Sequence, residues 1–146
     1  MPDKNIPIKL ELLQIEEEGY HCMLASEIND KTVRLLLDTG ASRTVFDKTR
    51  LLELFDKKEI KFKNVVHKSV GLGTKSMKSQ TAVLKTFKIG HIVLFDFQIV
   101  VLDLQHVNFS YQMIGDPGIC GVLGSDLLKK LNAVINFKSK TLKVVG

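Results

Sequence analysis

The sequence predicts an all-β domain with two short helices. Short apolar runs rich in Val, Ile and Leu recur along the 146-residue chain, and turn-forming residues separate them. Helical signals are confined to two short stretches, one after Asp47 and one after Ser125. The chain is long enough for one proper core and short for two, so we expect residues 1–146 to form a single domain.

Strands account for most of the predicted structure. In chain order, they are expected over residues 8–15, 20–28, 32–37, 45–46, 65–70, 80–87, 92–104, 133–137 and 141–145, and residues 92–104 form either one long strand or a pair. Between the last long strand and the second helix, residues 105–119 contain Asn108, Gly115, Pro117 and Gly118, which predicts a long loop. Trp is absent and aromatic residues are sparse, so the predicted core is mainly aliphatic.

Each predicted helix begins at a side chain that suits an N-cap. Asp47 precedes a helix that is expected to run to Phe55. Ser125 is expected to cap a second helix, over residues 126–131. Asp126 lies in the first turn of that helix and two lysines lie near its end, as the helix dipole prefers.

The net charge of +5 is unevenly spread along the chain. Nine lysines and one acid lie between Lys57 and Lys88. Such a stretch could bind nucleic acid or an acidic substrate, but few aromatic residues are interleaved with it and it forms no helical basic stripe. These features favour a solvated protein face, so we expect no nucleic-acid partner.

The expectations about cellular location and cofactors rest mainly on sequence motifs that are absent. The N-terminal residues lack the basic and apolar regions of a secretory signal, and no apolar stretch approaches the roughly 18 residues of a membrane span. We therefore expect a cytoplasmic protein with no membrane partner. Cys22 and Cys120 are too few for a disulfide framework, so reduced thiols are expected rather than a catalytic cysteine. The histidines show no zinc-ligand spacing, so no metal or other cofactor is predicted.

Asp38 is the most informative residue of the chain. It follows the apolar run Leu35–Leu37 and begins the sequence Asp-Thr-Gly. A strand that aims an acid into the protein interior needs a reason, because an isolated buried charge is costly. One reason is a second carboxylate about 3 Å away: the pair holds one proton, so one member is a base and the other an acid, which is enough to activate a water. The motif occurs once, so the second aspartate would have to come from another copy of the chain.

Three segments stand in an informative order. Asp38-Thr39-Gly40-Ala41-Ser42 follows a strand, the glycine-bearing segment 70–73 comes about 30 residues later, and Val122-Leu123-Gly124 runs directly into a predicted helix. This arrangement resembles the retropepsin-like aspartic proteases, single-domain and dimeric relatives of pepsin with an acid-protease β-barrel. The resemblance covers residues 20–145 and is closer to the cellular and bacterial branch than to the viral enzymes.

The resemblance implies a role for each segment. Asp38 would be the catalytic carboxylate, paired with Asp38 of a partner copy across a two-fold axis. Thr39 would hydrogen-bond the partner's loop, and Gly40 would let the backbone approach the substrate. Ala41 and Ser42 complete the active-site loop.

The other two segments would serve substrate binding and support. Gly71, Leu72, Gly73 and Thr74 would form the tip of a flap that closes over the substrate. The segment Val122, Leu123 and Gly124 would pack under the Asp38 loop, where Gly124 allows a close approach. The terminal strands would add to a sheet shared between subunits.

Two positions depart from related enzymes. Ala41 lacks the hydroxyl that pepsin-like relatives often place beside the carboxylate, so the ionised form is less favoured. We therefore expect activity at mildly acidic to neutral pH. Viral members also pair an acid after Asp-Thr-Gly-Ala with an arginine after Leu-Gly; this chain has Ser42 and Ser125 at those positions, so the dimer must be held in another way.

Two functions from different classes fit the pattern. The first is a homodimeric aspartic endopeptidase that hydrolyses a peptide or protein substrate between two subunits. The second is a non-catalytic dimerisation or peptide-binding module that retains the fold. The intact motif at Asp38 favours the enzyme, because a binding module has little need of paired acids. A nucleic-acid-associated role for the lysine-rich stretch would show itself by steep salt dependence on heparin or DNA.

Overall fold

The computed structural model describes residues 6–65 and 79–146. Strands are β1 (Ile8–Lys9), β2 (Glu11–Glu16), β3 (Gly19–Ile28), β4 (Lys31–Leu37), β5 (Val45–Asp47), β6 (Lys63–Asn64), β7 (Gln80–Ile89), β8 (Ile92–Leu102), β9 (Gly121–Leu123), β10 (Val134–Asn136) and β11 (Thr141–Lys143). Helices are α1 (Lys48–Leu54), α2 (Gln105–Met113) and α3 (Ser125–Lys130). The predicted class, an all-β barrel with short helices, is confirmed.

Six strands close into a barrel. They follow the order β3-β4-β9-β5-β8-β7, and a pairing of β3 with β7 completes the ring. Most neighbours are antiparallel, but β4 with β9 and β5 with β8 are parallel. The parallel pair β4–β9 matters most for the site, because Leu37 and Leu123 end side by side at the same edge of the sheet.

A second, three-stranded sheet joins the two ends of the described chain. Its order is β1-β11-β10. The predicted strand 8–15 is therefore two strands. The chain breaks at Leu10, whose N–H donates to the carbonyl of Lys140 (2.8 Å), so β1 joins the small sheet and β2 joins the barrel.

The barrel interior is filled by large apolar side chains. Phe46 and Phe87 are fully buried and meet edge to face with ring centres 5.5 Å apart. Cys22 and Cys120 are buried and unpaired. Within the described ranges, no helix is long and apolar enough to cross a membrane.

The main correction concerns residues 105–119, predicted as one long loop. Residues 105–113 form helix α2, so the described chain has three helices rather than two. Its N-cap residue, Leu104, makes no side-chain cap, and none of its first-turn residues is acidic. The carboxylate of Asp103 accepts from the N–H of Gln105 (2.9 Å). Two buried side chains, Asn108 and Tyr111, attach the helix to the rest of the protein. Packing therefore overrides a weak local signal, and the loop prediction holds only beyond the helix, where Gly115 and Gly118 have positive φ.

The two capping predictions have different outcomes. The N-cap role of Asp47 is confirmed: its carboxylate accepts from the N–H of Arg50 (3.1 Å). The N-cap role of Ser125 is wrong. Gly124 occupies that position and Ser125 is the first helical residue. Strand β9 was also missing from the prediction, since a three-residue strand leaves little periodicity to detect.

Candidate active site

Asp38 stands at the edge of the barrel where β4 ends. Its N–H donates to the carbonyl of Leu123 (3.0 Å), which extends the β4–β9 pairing by one step. The carboxylate Oδ1 then accepts from the N–H of Gly40 (2.9 Å), and Ala41 N–H closes the turn onto the carbonyl of Asp38 (3.2 Å). A Cβ at Gly40 would lie 3.2 Å from Oδ1, so glycine at this position keeps the carboxylate uncrowded.

The carboxylate is not buried within its own chain. Asp38, Thr39, Gly40 and Ser42 are all exposed, and Ala41 is half-buried. The expectation that the strand aims an acid into the interior is therefore wrong for a single chain. The reason is that the loop lies at the rim of the barrel, so its outer side meets solvent.

The inner side of the loop is held by α3 and the residues before it. Ser125 N–H donates to the carbonyl of Ala41 (2.8 Å). At Gly124, an added Cβ would lie 2.7 Å from the carbonyl oxygen of Ala41 and 2.8 Å from backbone atoms of Arg43. These are backbone atoms that cannot rotate away, so only glycine permits this approach.

Thr44 fixes the end of the loop, and sequence reasoning missed it. Its buried hydroxyl accepts from the N–H of Gly124 (3.0 Å) and donates to Oδ1 of Asp126 (2.7 Å). The Thr44 N–H also donates to both oxygens of Asp126, each at 3.0 Å. Asp126 is thus a tether between helix and loop as well as a first-turn acid. Its spacing from Thr44 gave no local signal, because the two are 82 residues apart.

A cavity of about 340 Å³ opens beside the carboxylate. Asp38 and Thr39 form one side, and residues of β3 and of the β10–β11 hairpin form the other. The full lining is Tyr20, His21, Cys22, Leu36, Leu37, Asp38, Thr39, Ile135 and Phe137. Tyr20 and Phe137 are exposed by 54% and 64%, so the rim of the cavity presents two aromatic rings to solvent. A larger cavity, about 450 Å³, is lined by Ile8, Ser26 and Gly90 and contains no residue of the Asp38 loop.

Helix α2 is the neighbour of this site that the sequence did not predict. Asn108 forms a two-way bridge to the backbone of Ile119: Nδ2 donates to its carbonyl (3.0 Å) and Oδ1 accepts from its N–H (2.7 Å). Tyr111 packs with Val122, and its hydroxyl lies 2.7 Å from Nδ1 of His21. No local pattern marks these contacts, because each depends on a partner distant in sequence.

The turn that follows α2 is held by an ion pair. Nη1 of Arg34 donates to Oδ2 of Asp116 (2.5 Å) and to the carbonyl of Gly118 (3.1 Å). Burial alone would raise the pKa of Asp116, but the hydrogen bonds from Arg34 and from the Gly118 N–H, with the charge of Arg34, lower it below its usual value. The carboxylate therefore stays ionised at any pH where this site would work.

The two thiols have little nucleophilic character. Burial raises the pKa of Cys22, and burial together with the charge of Asp47 raises the pKa of Cys120 to about 12. Residues 6–65 and 79–146 contain no group of three or more His, Cys, Asp or Glu side chains arranged to hold a metal ion. The predicted flap tip, Gly71 to Thr74, lies outside the described residues.

Comparison with known proteins identifies the family. A family model described as "Aspartyl protease" matches residues 24–127, which span the Asp38 loop, α2 and the start of α3. No significant match is found among curated proteins.

Two solved structures show the same fold. A retropepsin-like aspartic protease from Rickettsia conorii is 20% identical, with 89% of this chain and 86% of that chain covered and a TM-score of 0.50. EIAV protease complexed with the inhibitor HBY-793 is also 20% identical, with coverage of 86% and 100% and a TM-score of 0.55. The chain therefore belongs to the aspartyl protease family, and its fold is that of the retropepsin-like aspartic proteases.

Proposed function

We propose that the protein is a homodimeric aspartic endopeptidase whose active centre contains Asp38 from each of two copies. The observation that carries the proposal is the state of Asp38: an exposed carboxylate on a loop that is locked from beneath by Gly124 and Thr44. A rigid loop that presents one uncrowded acid provides half of a two-aspartate site. A second copy related by a two-fold axis would supply the other half.

The chemistry follows from one proton shared by two carboxylates. The ionised carboxylate takes a proton from a water, and the water oxygen attacks the peptide carbon. The protonated carboxylate gives its proton to the carbonyl oxygen, so a neutral tetrahedral intermediate forms. When this intermediate collapses, the C–N bond breaks and the leaving amine takes the proton that the pair holds. One hydroxyl of the intermediate gives its proton to the pair as the carboxylic acid product forms, which returns the site to its starting state. Neither step needs a cofactor.

Residues around Asp38 would orient this reaction. Thr39, exposed at the top of the loop, would hydrogen-bond the partner's loop and hold the two carboxylates in register. Gly40 would offer its backbone to the substrate, and Ala41 would leave the carboxylates without a hydroxyl donor. We therefore keep the expectation of a pH optimum in the mildly acidic to neutral range. A pH–rate profile with an optimum below about pH 3 would contradict it.

The cavity beside Asp38 supports a second copy as the partner. Exposed Tyr20 and Phe137 border the half-site, and strand β10 pairs on one side only within the described chain. An open strand edge and exposed aromatic rings are features that a dimer interface covers. Any partner that brings a second acid to Asp38 must lie over this patch, so the same contact would complete the site and bury the rings.

The remaining assignments follow the family. The segment Gly71, Leu72, Gly73 and Thr74 would form the flap that closes over a peptide or protein substrate. Unpaired thiols at Cys22 and Cys120 suit a reducing compartment, so we place the enzyme in the cytoplasm.

Two measurements test the proposal together. Sedimentation equilibrium near pH 6 should show a dimer over a wide concentration range, and a peptide library should be cleaved by the wild type but not by Asp38→Asn. The variant should dimerise at least as tightly, because it removes repulsion between two acids. A protein that stays monomeric even with peptide present would have one acid per site, and the non-catalytic binding module would replace the enzyme.

A further inference from the structure

His21 and Tyr111 form a polar contact between the barrel and α2. The ring nitrogen Nδ1 of His21 lies 2.7 Å from the Tyr111 hydroxyl, and the two rings meet edge to face with centres 5.7 Å apart. Tyr111 is only 3% exposed, whereas His21 is exposed. A buried hydroxyl needs a hydrogen-bond partner, and here a surface strand of the barrel supplies it.

The Tyr111 ring also packs beside the Asp38 loop. It belongs to a small apolar cluster with Met23, Ile119 and Val122, and Ala41 of the loop packs against this cluster. Burial raises the pKa of Tyr111, and the negative charges of Asp116 and Asp38 raise it further. The charge of Arg34 lowers this pKa but does not reverse the shift, so the hydroxyl stays protonated.

His21 lies on the cavity beside Asp38. It lines the 340 Å³ cavity together with Asp38 and Thr39, while its Nδ1 is engaged by Tyr111. The pair therefore spans from the cavity beside the carboxylate to the middle of α2.

The position of α2 depends on contacts of this kind. Its N-cap residue, Leu104, makes no side-chain cap, and a nine-residue helix is marginal without tertiary support. Asn108 ties it to Ile119, and Tyr111 ties it to the barrel. The exposed residues of α2 are both apolar, at Val107, Phe109 and Met113, and polar, at Gln105, His106, Ser110 and Gln112.

We propose that His21 and Tyr111 act as a latch that ties α2 to β3 and holds the His21 ring as part of the cavity wall beside Asp38. Both would be positioning residues, and neither would take part in the proton transfers. This inference rests on the proposed peptidase function only in placing the substrate over Asp38. Without the latch, this part of the cavity wall is less ordered, and it must become ordered when the peptide binds. Loss of the latch should therefore raise KM and leave kcat nearly unchanged.

The first test needs no activity. Amide hydrogen exchange is measured in wild type, Tyr111→Phe, His21→Leu and the double variant. Loss of one hydrogen bond should speed exchange in α2 by about two- to tenfold in each single variant, with no further change in the double variant and none in β7. Unchanged exchange in α2, equal acceleration in β7, or effects that multiply in the double variant would each overturn the latch.

The second test uses peptide cleavage. Tyr111→Phe and His21→Leu should each raise KM by about two- to tenfold with kcat within about twofold of wild type. His21→Asn, whose amide can reach the position of Nδ1, should restore most of the affinity, and His91→Leu should behave as wild type. A fall in kcat at constant KM would refute the positioning role. If the wild type cleaves no peptide, the proposed function fails, and the exchange measurement alone decides the latch.

Discussion

The two sides of the Asp38 loop differ in the contacts that they receive from their own chain. On the inner side, Gly124 touches the loop backbone, and Thr44 and Asp126 exchange three hydrogen bonds. On the outer side, Asp38 and Thr39 are exposed. The inner side is thus held by hydrogen bonds and a close backbone approach within one chain, whereas the outer side is open to solvent.

This difference separates folding from function. The inner side needs only its own chain, so its defects should appear as lost stability at any protein concentration. The outer side contributes nothing that one chain requires, so its defects should appear in activity and association. Five substitutions can break or sharpen this division.

The largest effect is expected from Asp38→Asn. Activity should fall by about a thousandfold or more, because neither copy then holds an ionisable carboxylate at the centre. Stability should be nearly unchanged, because the side chain is exposed and an asparagine oxygen can still accept from Gly40. Peptide cleavage measures the loss of activity, and urea unfolding measures the change in stability. A large loss of stability would mean that the outer side also supports the fold.

Gly124→Ala should be the most damaging change on the inner side. The new Cβ would lie 2.7–2.8 Å from backbone atoms of Ala41 and Arg43, so the loop must move. We expect a loss of about 1–3 kcal/mol in the free energy of unfolding. Gly19→Ala is the matched control, since its Cβ would meet nothing closer than 3.7 Å and should be nearly neutral. Equal stability of the two variants would contradict the close approach.

Thr44→Val removes one hydroxyl and keeps the shape. It leaves the buried N–H of Gly124 without its acceptor and removes a donor to Asp126. Unfolding should become easier by about 1–2 kcal/mol, while Thr44→Ser should retain most of the stability. Urea unfolding at two protein concentrations measures the stability of both variants. A larger loss in Thr44→Ser than in Thr44→Val would show that the methyl group, not the hydroxyl, matters.

On the outer side, Phe137→Lys tests association. An exposed ring beside the half-site becomes a charge, so the dimer dissociation constant should rise by about tenfold or more. Phe95→Lys is the control: this ring is 72% exposed on β8 and does not line the cavity. Sedimentation equilibrium compares the two. If Phe95→Lys dissociates the dimer and Phe137→Lys does not, the interface lies elsewhere on the barrel.

Sequence reasoning succeeded where the signal is local. The capping role of Asp47 could be predicted because a cap acts within three residues of itself. Strand β4, which leads into Asp38, could be predicted because apolar residues cluster along it. The resemblance around Asp38 and Val122 then led to the barrel, which periodicity alone would not specify.

It failed where the stabilising partner is remote. Helix α2 has no side-chain cap at its N-cap residue Leu104 and no acid in its first turn, and Asn108 and Tyr111 find their partners elsewhere in the fold. The tether between Thr44 and Asp126 spans 82 residues, and no spacing rule connects them. The exposure of Asp38 could not be predicted either, because the apolar pattern of a buried strand does not indicate whether the residue after it lies at the rim of the barrel.

The smallest effect concerns the ion pair between Arg34 and Asp116, which holds the turn between α2 and β9. Because the folded-state pKa of Asp116 is lowered, the pair stabilises the fold above the unfolded value near 3.8 and loses this contribution as the pH falls through the folded value. Asp116→Asn should cost about 1 kcal/mol at neutral pH, after screening by solvent, and should weaken the acid dependence of stability.

Urea unfolding of wild type and Asp116→Asn between pH 2 and pH 7 measures this contribution directly. The difference between the two proteins should shrink as the solution becomes more acidic, and it should not vary with protein concentration, because the pair lies within one chain. A difference that grew on dilution would place Asp116 with the outer side of the molecule, where stability depends on a second copy.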